Sequence, residues 1–196
     1  RVNLMGAGTE GAETPIYKGD VVAVIGGGNT AMDSVRTALR LGAKRAMIVY
    51  RRSEEEMPAR REEILHAKAE GVEFLTLHNP IEYEGNEKGK VCRMKLQRME
   101  LGDPTPDGRR KPVPIPGAID EVDVDVVVVS IGVSPNPLIP RSFQGLEVSP
   151  KGTVIVNEQN QSSLEEVYAG GDIVRGGATV ILAMGDGRKA AANMHA

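Results

Sequence analysis

One cysteine, Cys92, stands in a chain of 196 residues. That excludes an internal disulfide, a CxxC redox pair and a cysteine metal cluster, and a reducing, cytoplasmic location is the simplest reading. No apolar run approaches the roughly 18–20 residues that a membrane helix needs, and no signal peptide opens the chain. Basic excess is missing too: 27 acidic side chains face 24 lysines and arginines, which excludes a surface built for nucleic acid. Walker, HExxH and zinc-ligand spacings are absent, so no metal site is expected. The three histidines, His66, His78 and His195, have no spaced partner and read as surface or capping residues. Ser53 and Ser130 lack a nucleophile-elbow context, and no catalytic side chain is assigned.

The composition, 40% hydrophobic and 26% charged, is that of a globular protein with a real core and excludes disorder or a coiled coil. The 23 glycines and 12 prolines exceed the usual combined share of about 12%, and the glycines cluster. The chain opens at Arg1 in a small-residue stretch and ends at Ala196 inside a helical pattern. Both ends read as cuts in a longer polypeptide.

The apolar run Val21-Val22-Ala23-Val24-Ile25 predicts a buried strand. Gly26-Gly27-Gly28 follows, and from Asn29 the period changes: Ala31, Val35, Ala38 and Leu39 share one helical face, with Gly42 as the stop. Ala46–Tyr50 is a second buried strand, which makes a βαβ unit and hence a parallel sheet. A helix is expected from Pro58 to Glu70, with Glu54–Glu56 before it, and a third strand from Val72 to Leu77. Between residues 80 and 119 the alternation of Cys92, Met94 and Leu96 with charged neighbours predicts an antiparallel β-meander inserted between parallel strands. Val124–Ile131 reads as a strand buried on both faces, ending at Gly132. Beyond it, Thr153–Val156 and Val167–Ala169 are expected short strands, Gly170-Gly171-Asp172 closes the second, and Ala178–Met194 is a helix. The fold class is therefore α/β, a Rossmann-like parallel sheet with helices and an inserted meander.

Gly26-Gly27-Gly28-Asn29-Thr30-Ala31 fits GxGxxA between a strand and a helix, where the pattern has a physical meaning. Gly26 permits the turn, Gly28 lets the backbone approach a pyrophosphate, and Ala31 lets the helix pack on the sheet. A glycine turn needed only for packing and a methyltransferase loop are the rivals. An NAD site places Asp or Glu at the end of the second strand. Here Arg51 and Arg52 stand there, and guanidiniums clamp the 2′-phosphate of NADP(H). The bland alternative pairs them with Glu54–Glu56 on the surface. Gly132 would lie at the carboxyl edge of the sheet, either to keep a cofactor path clear or to form a turn before Pro135. In the tail, Gly170-Gly171-Asp172 and Gly176-Gly177-Ala178-Thr179 open a helix that itself contains Gly185 and Gly187. Such glycines cost helix stability, so a close approach to a flavin edge, a phosphate or the sheet is expected there.

The stretches GGGNTAMD (26–33), YRRSEEEMPAR (50–60), SIGVSPNP (130–137), YAGGD (168–172) and GATVILAMGDGRKAA (177–191) together resemble the small subunit of NADPH-dependent glutamate synthase. The wider group includes ferredoxin:NADP/sulfide dehydrogenase-type and dihydropyrimidine dehydrogenase flavin subunits, within the pyridine nucleotide-disulfide oxidoreductase-like superfamily. The resemblance implies an NADPH domain inserted in a discontinuous FAD domain: residues 1–14 as a linker, 15–142 as the NADPH domain, and 143–196 as the truncated C-terminal part of the FAD domain. It implies that Gly26, Gly28, Asn29 and Thr30 touch the NADPH diphosphate, that Arg51 and Arg52 hold the 2′-phosphate, and that Gly132 lies near the nicotinamide half. Gly171 and Asp172 would meet the FAD ribityl–phosphate region and Thr179 the isoalloxazine. The implied function is hydride transfer from NADPH to FAD, with electrons passing to iron–sulfur centres, a ferredoxin partner or a large catalytic subunit. The family's iron–sulfur cysteines and first FAD glycine motif are not in this chain, so the fragment alone is expected to be inactive. A thioredoxin reductase-like enzyme would need a CxxC in this domain, and a non-catalytic dinucleotide-sensing module would not need the tail motif.

Overall fold

The computed structural model describes residues 18–105 and 108–195; the expected linker over 1–14 lies outside them. The chain divides into two compact units, the first ending at Gly132 and the second beginning at Val133.

The first unit is built on a parallel sheet. Strand β1 (Val21–Ile25) leads through the glycine loop into helix α1 (Asn29–Arg40), then β2 (Arg45–Tyr50). A 3-10 turn (Glu54–Glu56), helix α2 (Arg61–Ala69) and strand β3 (Glu73–Thr76) follow. The antiparallel strands β4 (His78–Gly85), β5 (Val91–Pro104) and β6 (Arg110–Asp123) come next, and β7 (Val126–Val129) returns to the parallel sheet. The order is β3-β2-β1-β7 in one sheet and β4-β5-β6 in the other. Val22 pairs with Ala46 on one side and Val126 on the other, all parallel. This is the α/β sheet with inserted meander that the sequence predicts.

Because successive strand side chains point to opposite faces, β1 and β2 feed two cores. Val22, Val24, Ala46 and Ile48 pack with Ala31, Met32 and Val35 of α1 and Ile64 and Ala67 of α2. Ala23, Ile25, Met47 and Val49 pack on the other face against Met94 and Leu96 of β5 and Val124. The meander thus takes the place that a second layer of helices holds in a doubly wound sheet. Within it Met94 and Leu96 are fully buried while Cys92 is exposed.

Three expectations change. Helix α2 begins at Arg61 rather than Pro58: Met57, the residue before proline, is extended (φ −66°, ψ 130°), as that position favours, and the Ala59 N–H donates to the Gly27 carbonyl at 3.0 Å. Strand β7 is not buried on both faces, because among the described residues it pairs only with β1; Val129 is 60% and Ile131 74% exposed. Residues 153–156 and 167–169 form isolated bridges, Val148 to Val154 and Gln161 to Tyr168, rather than strands.

The second unit holds helices α3 (Leu138–Ser142), α4 (Asp172–Arg175) and α5 (Val180–Met194). No helix among the described residues is long and apolar enough to cross a membrane.

Candidate functional site

The glycine loop divides its work among three residues. Gly26 has φ +142°, and a β-carbon there would fall 2.2 Å from the Ser130 carbonyl oxygen, so only glycine lets β1 turn beside the end of β7. Gly27, silent in the GxGxxA pattern, is needed for a different reason: a β-carbon would meet the Tyr50 ring at 2.8 Å and Met57 Cγ at 3.2 Å. Around Gly28 the nearest atom is Pro58 Cγ at 4.0 Å. Its backbone is open, and it is extended (φ −91°, ψ 176°) as the residue preceding α1. Among the described residues no side chain caps α1, and no acid sits in its first turn. The first amides of α1 and the positive end of its helix dipole face a cleft, the kind of end that suits an anion. Ala31 is fully buried against the sheet, as the motif requires.

Arg51 and Arg52 follow β2 and line the same cleft, of about 660 Å³, as Gly26, Gly28 and Thr30. Arg51 is exposed, whereas Arg52 is 7% exposed. The Arg52 Nε donates to the Arg110 carbonyl at 2.7 Å, and the Arg52 carbonyl accepts from Leu77 N–H at 3.0 Å. Among the described residues neither arginine forms an ion pair with Glu54–Glu56. Glu54 pairs with Lys68, and Glu56 accepts from the Arg110 N–H at 2.7 Å. Gly132, with φ +93° and nothing within 4 Å of a β-carbon, lines the cleft beyond β7. Asn29 stands apart: its Oδ1 accepts from the Arg60 N–H at 2.9 Å, tying α1 to the start of α2.

The cleft also contains residues that the sequence did not single out for it. His78, Asn79, Pro80 and Tyr83 of β4 form a wall, and Arg109 enters from the β5–β6 connection. His78 is not a terminal cap but opens β4, with Nδ1 2.6 Å from the Thr76 carbonyl and Nε2 2.9 Å from Asp120 Oδ2. The Arg98 guanidinium, and then His78, hold the Asp120 carboxyl below its ordinary range. Burial raises the Tyr83 hydroxyl. No spacing rule could reveal this wall, since it depends on how the meander folds over the sheet.

In the second unit Gly171, Asp172 and Thr179 meet at one turn. Asp172 Oδ1 accepts from the Ala178 N–H at 3.2 Å, and the Thr179 hydroxyl caps α5 by accepting from the Leu182 N–H at 3.4 Å. Asp186, 4% exposed on α5, anchors the turn: it accepts from the Gly171 N–H at 2.9 Å and takes two bonds from Arg175, each 2.7 Å. The Arg175 bond, reinforced by the Gly171 amide, holds the Asp186 carboxyl far below its usual range. Close packing explains Gly170, whose β-carbon would lie 2.6 Å from Asp186 Cβ. It does not explain Gly176, Gly177, Gly185 or Gly187, at each of which a β-carbon would have no neighbour within 4 Å among the described residues. Val180, Ile181 and Met184 beside them are largely exposed.

The family model for pyridine nucleotide-disulphide oxidoreductases matches residues 8–187. The chain is 41% identical over 194 residues to the glutamate synthase [NADPH] small chain of Escherichia coli, covering 96% of this chain and 41% of that protein. It is 44% identical over 183 residues to the NADP(+)-dependent formate dehydrogenase subunit beta of Moorella thermoacetica, of which it covers 25%. The chain therefore spans less than half the length of these relatives. Among solved structures, the thioredoxin reductase of T. acidophilum superposes with a TM-score of 0.74 at 22% identity, over 91% of this chain and 53% of that one. FprA of Mycobacterium tuberculosis in complex with NADPH superposes at 0.69 and 22% identity, over 92% and 53%. The glycine-loop sheet, its inserted meander and these matches over most of the chain place it in the pyridine nucleotide-disulphide oxidoreductase family.

Proposed function

We propose that this chain is the NADP(H)-binding part of a flavin-dependent oxidoreductase of the glutamate synthase small-subunit kind, in which a hydride passes from NADPH to FAD and electrons continue to iron–sulfur centres or a partner subunit. One observation carries the reading: the uncapped N-terminus of α1, Arg51 and Arg52 meet in a single cleft. The open backbone at Gly28 with the adjoining amides of Asn29 and Thr30 would take the pyrophosphate, and the two guanidiniums the 2′-phosphate. The bare backbone at Gly132 leaves the edge beyond β7 clear for the nicotinamide half.

The second unit fits a flavin in kind. The Gly171–Asp172 turn and Thr179 would hold it, and the open space around Gly176, Gly177, Gly185 and Gly187, next to exposed apolar side chains, suits a flat ring. The bound nicotinamide and flavin supply the hydride chemistry, so the chain needs no acid, base or nucleophile of its own. Its residues bind, orient and exclude water. A subunit role is supported by relatives that are themselves a "small chain" and a "subunit beta".

Side-by-side calorimetric titration with NADPH and NADH tests the reading. A charged hydrogen bond contributes about 1.5–3 kcal/mol, and about 1.4 kcal/mol is tenfold in affinity. Two guanidiniums on the 2′-phosphate should therefore favour NADPH by roughly 100-fold, with Arg51→Ala losing at least about tenfold of it. Equal affinity for the two nucleotides in the intact protein would overturn the proposal.

A further inference from the structure

Apart from the β4 wall, the antiparallel insertion meets the loop after β2 at the start of β6. Arg110 is engaged there on three sides. Its N–H donates to Glu56 Oε1 at 2.7 Å, and its carbonyl accepts from Arg52 Nε at 2.7 Å. Its own guanidinium turns back to the carbonyls of Leu101 and Gly102 on β5, at 2.6 and 3.1 Å. Glu56 is fixed in turn, because its other oxygen accepts from Ser53 N–H and Oγ at 3.4 and 3.3 Å, and the Tyr50 hydroxyl donates to its carbonyl at 2.9 Å. The result is a closed tie joining the loop after β2 to the meander. Arg109, one residue before the tie, is half-buried and lines the cleft with Arg51 and Arg52.

We propose that Arg109 is a third specificity-determining cation for the 2′-phosphate of NADP(H), and that Glu56 is the positioning residue that sets it, through the backbone of Arg110, beside Arg52. The inference rests on the NADP(H) reading above. Its physical logic is preorganisation: a guanidinium on an unanchored backbone would lose much of its binding energy to ordering, and the tie fixes the Arg110 backbone next to Arg109 before the nucleotide arrives. Both oxygens of the Glu56 carboxylate are engaged by the Arg110 amide and Ser53 rather than by a guanidinium of the cleft. The sequence pattern after β2 carries two arginines; the third is more than fifty residues away and reaches the site only because the meander folds over the sheet.

Titration of the intact protein with NADPH, NADH and adenosine 2′,5′-bisphosphate tests this. Arg109→Ala should weaken NADPH and the bisphosphate by about tenfold, the scale of one charged hydrogen bond, and NADH by less than about twofold. Glu56→Ala should reproduce that selective loss, while Glu56→Gln, which keeps the acceptor oxygen for the Arg110 amide, should retain the wild-type preference. If the wild type prefers NADPH and Arg109→Ala leaves that preference intact, the inference fails while the parent reading stands. A loss shared equally by NADPH and NADH would assign Arg109 to the common pyrophosphate and overturn the 2′-phosphate role. If Glu56→Ala leaves the preference unchanged, the positioning role falls. Absence of any wild-type preference would remove the parent reading and this inference together.

Discussion

At the scale of single residues, the glycine loop separates a structural requirement from the binding role proposed for it. A β-carbon at Gly26 meets the Ser130 carbonyl at 2.2 Å in a backbone with φ +142°. Gly26→Ala should therefore destabilise the fold by more than about 2 kcal/mol, seen as a lower denaturation midpoint. Gly28 is extended and has open space beside it. Gly28→Ala should leave the denaturation midpoint nearly unchanged and, on the proposed function, weaken both NADPH and NADH at least about tenfold, because the new methyl would stand where the pyrophosphate is proposed to approach the backbone. Equal effects of the two substitutions on stability would contradict this division. The roles of Gly26 and Ala31 were legible from GxGxxA, whereas the packing of Gly27 under the Tyr50 ring was not, since it depends on where the next strand places its aromatic side chain.

At the scale of elements, α1 and α2 are joined on their exposed side by a carboxylate–guanidinium clasp. Arg36 binds Glu63 at 2.6 Å and Glu70 at 2.8 Å, and Arg40 binds Glu70 at 2.6 Å. The Arg36 bond, seconded by Arg40, lowers the Glu70 carboxyl from 4.5 to about 2. A carboxyl depressed in the folded state contributes its stability above the unfolded value and loses it as pH falls through the folded one. Thermal stability should thus decline between about pH 4.5 and 2, and Glu70→Gln should flatten that part of the profile by lowering stability modestly near neutrality, where the exposed clasp contributes in full, and not at all near pH 2. An unchanged acid profile in the variant would rule the clasp out as its source. The sequence marked both helices through the spacing of Ala31, Val35 and Ala38 and through the acids before Met57. It misplaced the start of α2 by three residues, because the Ala59 amide is held by the Gly27 carbonyl of a distant loop, a bond that helix periodicity cannot express. Strand β7 was misread in the same way: Val124–Ile131 is apolar enough to be read as buried on both faces, yet among the described residues it pairs only with β1 and leaves Val129 and Ile131 exposed.

For the whole molecule, the expectation is set by two separate sites rather than one. The first unit carries the cationic cleft, and the second carries the Gly171–Asp172 turn anchored by Asp186 and Arg175. On the proposed function, the intact protein should purify with a flavin visible in its absorption spectrum, bleached on anaerobic addition of NADPH more readily than of NADH. A colourless protein that still binds NADPH would support the nucleotide site and reject the flavin role. The sequence by itself determined the βαβ unit, the anion-seeking glycine loop, the arginines after β2 and the existence of a meander, because each is written in local periodicity or in adjacent residues. Only the tertiary structure decided that the meander covers the sheet's second face, that His78, Tyr83 and Arg109 join the cleft, and that Arg52 is anchored through Arg110. Those contacts link residues dozens of positions apart, and their pairing is fixed by strand register and by burial of Met94 and Leu96 against β1 and β2, neither of which any local pattern specifies.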